Sequence, residues 1–226
     1  MLRNFGTGAA SALVKAVLES YAVIQSVSPE GSEKYMTRIY FVRHAQPLHS
    51  WKDDRTRPLT EEGQRNTSSV LAYLNDKEID DFYCSPYRRS LDTIAGTADY
   101  YRKNIMVDER LREREAGDGS NYEGMYRKRW ENLDYHEEGG ESILMVQKRN
   151  IEVLNEILEK SAGKNIVIGT LGTALSSILN YYDNGFGCDD FLRIIDWMPY
   201  IIRLDYDGSQ LLQMEECFYI EKEYKG

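Results

Sequence analysis

From Thr37 onward the chain repeatedly switches its hydrophobic period, and this switching limits its fold more than any other feature. Short apolar runs of strand length, RIYFVRH at 38–44, IDDFYCS at 79–85 and NIVIGT at 165–170, are separated by longer stretches with helical spacing. Runs rich in β-branched residues belong to strands covered on both faces, so the alternation predicts an α/β protein. LTEEGQRNTSSVLAYLN reads as a helix opened by a capping-box pattern at Thr60, with Glu61 and Glu62 nearby. PYRRSLDTIAGTADYY reads as a second helix with proline in its first turn. NIMVDERL gives a third strand and its exit, and ESILMVQKRNIEVLNEILEK is the longest helical pattern. In IIRLDYDGSQLLQMEEC two strands meet through Asp207-Gly208, a hairpin signal.

Two segments stand apart from this alternation. Residues 1–35 place Leu13, Val17, Tyr21 and Ile24 on one helical face, and Lys15 and Glu19 interrupt the apolar run that a secretory signal would need. They are read as an N-terminal helical extension ahead of a domain spanning 36–226. The glycine-, aromatic- and charge-rich stretch 115–140 is too short for a core of its own and reads as a lid-like excursion.

Composition excludes some functions. With 37 acidic against 28 basic residues, the chain offers no general attraction to nucleic acid or to an anionic membrane. Any anion must be bound by a local arginine cluster. Cys84, Cys188 and Cys217 lie far apart without metal or redox spacing, so free thiols in a reducing, cytoplasmic setting are expected. No metal site and no cofactor are expected, and His49 and His136 read as surface histidines.

Open α/β sheets place their sites beyond the strand ends, so the residues there carry the chemical argument. The first strand ends in Arg43-His44 and the second leads to Ser85-Pro86-Tyr87-Arg88-Arg89. The third leads to Arg110-Leu111-Arg112-Glu113, and the fourth to Gly169-Thr170-Leu171-Gly172. A neutral imidazole can attack phosphorus, arginines neutralise the spread charge of the phosphoryl group, and a carboxylic acid can protonate the departing oxygen. His44, Arg43, Arg89 and Glu113 suit these roles, with Glu115 a second choice for the acid.

At these residues the chain resembles the histidine phosphatase superfamily, with its phosphoglycerate-mutase-like fold. VRHAQ is similar to the family's Arg-His-Gly motif, and SPYRRSLDTI to its Ser-Pro-Leu-x-Arg-Ala-x-Gln-Thr stretch. LREREAGDGSNYEG is similar to the segment carrying the proton-donating glutamate, and GGESILMVQKR to a Gly-Glu-Ser helix start followed by an arginine, here Arg149. The resemblance implies a three-layer α/β/α fold with a mixed, mainly parallel sheet, catalytic His44 and Glu113, and a phosphate held by Arg43, Arg89 and Gly172.

Two departures stand out. Ala45 replaces the usual glycine, and Leu171 occupies the position of the family's second histidine, which helps hold the phosphoryl group. Leucine matches the bulk but offers no hydrogen bond. The expectation is metal-independent hydrolysis of a small phosphomonoester through phospho-His44, weakened by Leu171. The alternatives are a catalytically impaired binding protein for a phosphorylated ligand, or a phosphoglycerate mutase, although the mutases' Glu-Arg-His-Tyr-Gly context is missing. Neither a nucleic-acid nor a membrane partner is expected, and nothing in the pattern sets an oligomeric state.

Overall fold

The structure is a computed structural model that describes residues 35–118 and 122–222. The reading of a helix over 1–35 therefore lies outside the described residues, apart from Tyr35. Six strands form one mixed sheet in the order β3-β2-β4-β1-β5-β6. They are β1 (Thr37–Arg43), β2 (Asp81–Cys84), β3 (Ile105–Val107), β4 (Asn165–Thr170), β5 (Trp197–Asp207) and β6 (Gln210–Glu221). β3, β2, β4 and β1 run parallel, while β5 pairs antiparallel with both β1 and β6. The sheet is thus mainly parallel with an antiparallel edge, and Gly208 has the positive φ, 57°, that the hairpin turn requires.

The helices are α1 (Glu61–Leu74), α2 (Arg88–Tyr101), α3 (Glu123–Glu131), α4 (Ile143–Lys160), α5 (Gly172–Tyr182) and α6 (Cys188–Ile194), with a 3₁₀ turn at Glu109–Leu111. Period-2 alternation divides β1 between two cores. Ile39 and Phe41 meet Leu154, Ile157, Leu175 and Ile178 of α4 and α5. Tyr40 and Val42 meet Val70, Leu74, Ile94 and Ala98 of α1 and α2. A helical layer therefore covers each face. β4 lies close under α2 because Gly169 has no side chain: a Cβ there would stand 3.0 Å from Ile94 Cδ1 and Ser90 Oγ of α2, and 2.6 Å from the Cys84 sulfur of β2.

Local signals differ from the sequence reading in two places. Thr60 caps α1 by accepting from the Gly63 amide at 2.9 Å, but the third helical position is glycine, so no glutamate closes a capping box. α2 starts at Arg88 with Tyr87 as its cap, leaving Pro86 just outside the helix. Ser142 caps α4 through the Met145 amide. The 115–140 stretch is closed by an Ala116–Gly140 bridge and carries α3. Trp130 of α3 packs with tilted rings against Phe186 and Phe191, and Arg127 pairs with Asp189, so the excursion is fastened to α6 and the loop before it. Among the described residues, no helix is long and apolar enough to cross a membrane.

Candidate active site

β1 delivers Arg43 and His44 to the C-terminal edge of the sheet, between the ends of β4 and β5. Both side chains are buried. The His44 Nδ1 lies 2.8 Å from the Ala45 carbonyl oxygen. A carbonyl only accepts, so Nδ1 carries the proton and the lone pair is left on Nε2. Burial, followed by the charges of Arg89 and Arg43, holds the His44 pKa well below its ordinary 6.5. The ring is therefore a neutral base at neutral pH. The Ala45 amide donates to Thr93 Oγ1, and Ala45 is not among the positive-φ residues, so alanine fits where the family pattern has glycine.

The Arg43 guanidinium is clamped by main-chain carbonyls. Nη1 donates to Ile194 at 2.5 Å and Nη2 to Ile195 at 2.8 Å, at the C-terminal end of α6, where carbonyls lack helical partners. Burial lowers its pKa to about 10, against the raising effects of Glu113 and Asp196, so it still bears full charge near neutrality. Gly172 lies alongside, where an added Cβ would come 3.4 Å from the Arg43 Nη2. Arg89, on the first turn of α2, donates from Nη1 to the Asp54 carbonyl at 2.6 Å and pairs with its carboxylate at 3.2 Å. Its guanidinium lies 4.8 Å from the centre of the Tyr87 ring.

Glu113 reaches across to α5. Its Oε2 accepts from the Thr173 amide at 3.1 Å, while Oε1 accepts from the Ala174 amide at 3.2 Å and from the Arg114 amide at 2.8 Å. The carboxyl group thus occupies the positive end of α5, which has no side-chain cap of its own. Arg149 holds the segment in place, donating to the carbonyls of Arg110, Arg112 and Glu113 and gripping Glu141 with Nε and Nη2. Glu115 is half exposed and stands 3.6 Å from Arg112.

Arg43, His44, Arg89, Glu113 and Gly172 all line one cavity of about 480 Å³, together with Tyr87, Arg114, Arg129 and Trp130. Leu171 is not among the lining residues. As the residue before α5 it is wholly buried, packed with Tyr87, Val146 and Ala174. His49 is exposed, as expected of a surface histidine, yet it stands on the cavity rim, and Arg57, Arg89 and Arg43 add to burial in lowering its pKa.

Sequence reasoning missed Asp54, which pairs with Arg89 from a loop, and the buried Arg114–Glu137–Arg129 cluster on the cavity wall. It also missed Asp196, on the cavity lining beside the Arg43 clamp. Only Tyr87 had a readable signal, since it stands where the motif has leucine.

The site thus gathers a buried, neutral histidine and two buried arginines at the C-terminal edge of the parallel strands of an α/β protein. The sequence pattern of the histidine phosphatase superfamily (branch 1) matches residues 39–212, and the chain belongs to that family. Among curated relatives it is 40% identical over 55 residues to a 2,3-bisphosphoglycerate-dependent phosphoglycerate mutase of Thermoplasma acidophilum, covering 24% of this chain and 28% of that one. It is 33% identical over 110 residues to a candidate phosphoserine phosphatase 2 of Hydrogenobacter thermophilus, covering 46% of this chain and 50% of that one. The chain thus matches half or less of the length of these relatives.

Solved structures share the fold at low identity. Mycobacterial glucosyl-3-phosphoglycerate phosphatase superposes with a TM-score of 0.67 at 17% identity, covering 80% of this chain and 97% of that one. The phosphoserine phosphatase of Entamoeba histolytica, solved with 3-phosphoglyceric acid, gives 0.66 at 17% identity, covering 83% and 98%. Bacillus stearothermophilus YhfR gives 0.65 at 22% identity, covering 78% and 94%.

Proposed function

We propose that this protein hydrolyses a small phosphomonoester without a metal or cofactor, through a phosphohistidine on His44. The observation that carries the reading is the buried His44, whose Nε2 lone pair is set by the Nδ1–Ala45 hydrogen bond, in a cavity lined by Arg43 and Arg89. The Nε2 lone pair forms the bond to phosphorus as the ester P–O bond breaks. Arg43 and Arg89, with Gly172 against Arg43, offset the charge on the non-bridging oxygens. Glu113, once protonated, gives its proton to the leaving oxygen. Each carboxyl oxygen has two lone-pair directions, so the amide bonds leave room for that proton. Water then attacks the phosphohistidine, Glu113 takes its proton, the P–N bond breaks and inorganic phosphate leaves.

One curated relative is named as a mutase, but the other relative and the structural neighbours named as phosphatases, together with the missing Glu-Arg-His-Tyr-Gly context, support hydrolysis over mutase transfer. Three unpaired cysteines support a reducing compartment such as the cytoplasm. We assign residues 36–226 to the phosphatase domain and the 115–140 excursion to its cover. Leu171 provides packing in place of a hydrogen bond, which by itself lowers turnover.

A second reading, a phosphate-binding protein without turnover, is favoured by two features: Leu171 is sealed among apolar side chains, and Glu113 occupies the first amides of α5. Hydrolysis of an aryl phosphate in the presence of a chelator separates the two readings. Turnover that survives chelation and disappears in His44→Ala is the expected result. Phosphate binding with no turnover supports the second reading, and turnover that persists in His44→Ala defeats the first.

A further inference from the structure

Tyr87 stands where the two sides of the cavity meet. It caps α2, packs against Leu171, Val146 and Ala174, and carries the Arg89 guanidinium on its ring face. Arg55 approaches the same ring, 5.7 Å from its centre. The side chain is only 4% exposed, and what exposure remains lies on the cavity lining. A tyrosine this buried ordinarily pairs its hydroxyl. The Tyr87 amide donates to Ser85 Oγ and its carbonyl accepts from the Ser90 and Leu91 amides, but its hydroxyl bonds to none of the described residues.

We propose that the Tyr87 hydroxyl is a catalytic hydrogen-bond donor to the transferring phosphoryl group, taking over the duty that Leu171 cannot perform. Arg89 on the ring face brings the phenol to the arginine we assign to phosphate. Leu171 shares one small apolar cluster with Tyr87, so the two positions are neighbours in the fold. In the motif this chain resembles, the position of Tyr87 is leucine and that of Leu171 is histidine, so polarity has been exchanged between two neighbouring sites. The exchange keeps an apolar residue and a donor in the same neighbourhood. Burial, then the carboxylates of Glu115, Asp54 and Glu113, push the phenol's pKa up to about 12, so it retains its proton wherever His44 is a free base. No proton moves through Tyr87. It donates a hydrogen bond to a non-bridging oxygen while His44 bonds phosphorus and the ester oxygen leaves.

The proposal rests on the phosphatase reading, and a cycle of Tyr87→Phe and Leu171→His tests it. Tyr87→Phe keeps the ring, its apolar packing and the Arg89 stack, and a thermal melt matching wild type shows that the fold is retained. Losing one placed donor costs roughly 10²-fold in rate, so kcat/KM for an aryl phosphate should fall about that far. The affinity for orthovanadate, which mimics the transferring group, should fall with it. Adding Leu171→His to Tyr87→Phe should recover most of the loss, whereas Leu171→His alone should gain only about threefold, because contacting donors to one group are not additive.

A Tyr87→Phe variant equal to wild type in both measurements overturns the proposal. So does a loss of the same size with leucine and with histidine at 171, which marks a purely structural role. If wild type shows no turnover that depends on His44, the phosphatase reading has failed. The orthovanadate dissociation constants of wild type and Tyr87→Phe, read by calorimetry, then decide the donor's role alone.

Discussion

The two sides of the cavity follow opposite rules. On the β1–α2 side, Arg43, His44 and Arg89 are buried and polar, and each is held in orientation by a main-chain carbonyl. On the β4–α5 side, Leu171, Val146 and Ala174 form a small apolar core, and the helix amides behind them are met by Glu113. A buried arginine is retained at a cost in desolvation, which protein interiors accept where a charge has a task. A buried leucine costs nothing to desolvate and stabilises the fold. On the function proposed above, the first side serves an anion and the second stability, so substitutions on the two sides should register in different measurements.

The largest effect is expected on the polar side. Arg89→Ala removes the fork-shaped cation we assign to the phosphoryl group and should lower kcat/KM for an aryl phosphate by about 10³-fold or more. Its partner Asp54 is partly exposed and can be rehydrated, so the denaturation midpoint should move little. A variant that unfolds as readily as it loses activity would show that Arg89 is a structural ion pair and would remove the contrast between the two sides.

Leu171→Ala probes the apolar side. Deleting a fully buried leucine side chain should cost about 2–5 kcal/mol of unfolding free energy, read from a urea titration at unchanged slope. Turnover per folded molecule should change far less than in Arg89→Ala. If stability is untouched while turnover collapses, Leu171 serves the chemistry directly and the division into two sides is wrong.

The sequence reveals some parts of this arrangement and conceals others, for physical reasons. β1, β4 and the long helix α4 have strong periods, and their ends bring Arg43, His44 and Leu171 to one edge whatever the details of packing. Helix α6 is only seven residues long, so its period is barely expressed, yet its last carbonyls orient Arg43. The capture of the α5 amides by Glu113 joins residues 60 and 61 positions apart, a pairing that no local pattern encodes. Arg114, just before the 115–140 excursion, and Arg129 and Glu137 within it likewise carry no local signal of pairing, and only tertiary packing buries them together. Residue types at strand ends were legible; the groups that hold them in orientation were not.

The smallest expected effect is a pH dependence of stability confined to the polar side. His44 is kept neutral in the folded state because burial and the cations Arg89 and Arg43 oppose protonation, with His49 adding to them and only the Ala45 carbonyl favouring it. In the unfolded chain the same ring titrates near 6.5. Above that value both states leave it neutral, so it makes no difference. Below it the unfolded chain binds a proton that the folded one refuses, and stability falls with pH until the folded pKa is reached. The slope for one such group is at most about 1.4 kcal/mol per pH unit. Urea midpoints measured from pH 7 down to pH 5 should therefore fall more steeply for wild type than for His44→Gln, which carries no titrating ring. His49 and the carboxylates titrate in both proteins and largely cancel in the difference. Leu171→Ala should shift the wild-type curve down without altering its slope, since leucine binds no proton. Parallel curves for wild type and His44→Gln would mean that His44 is readily protonated in the folded state. The neutral-imidazole nucleophile would then lose its physical basis.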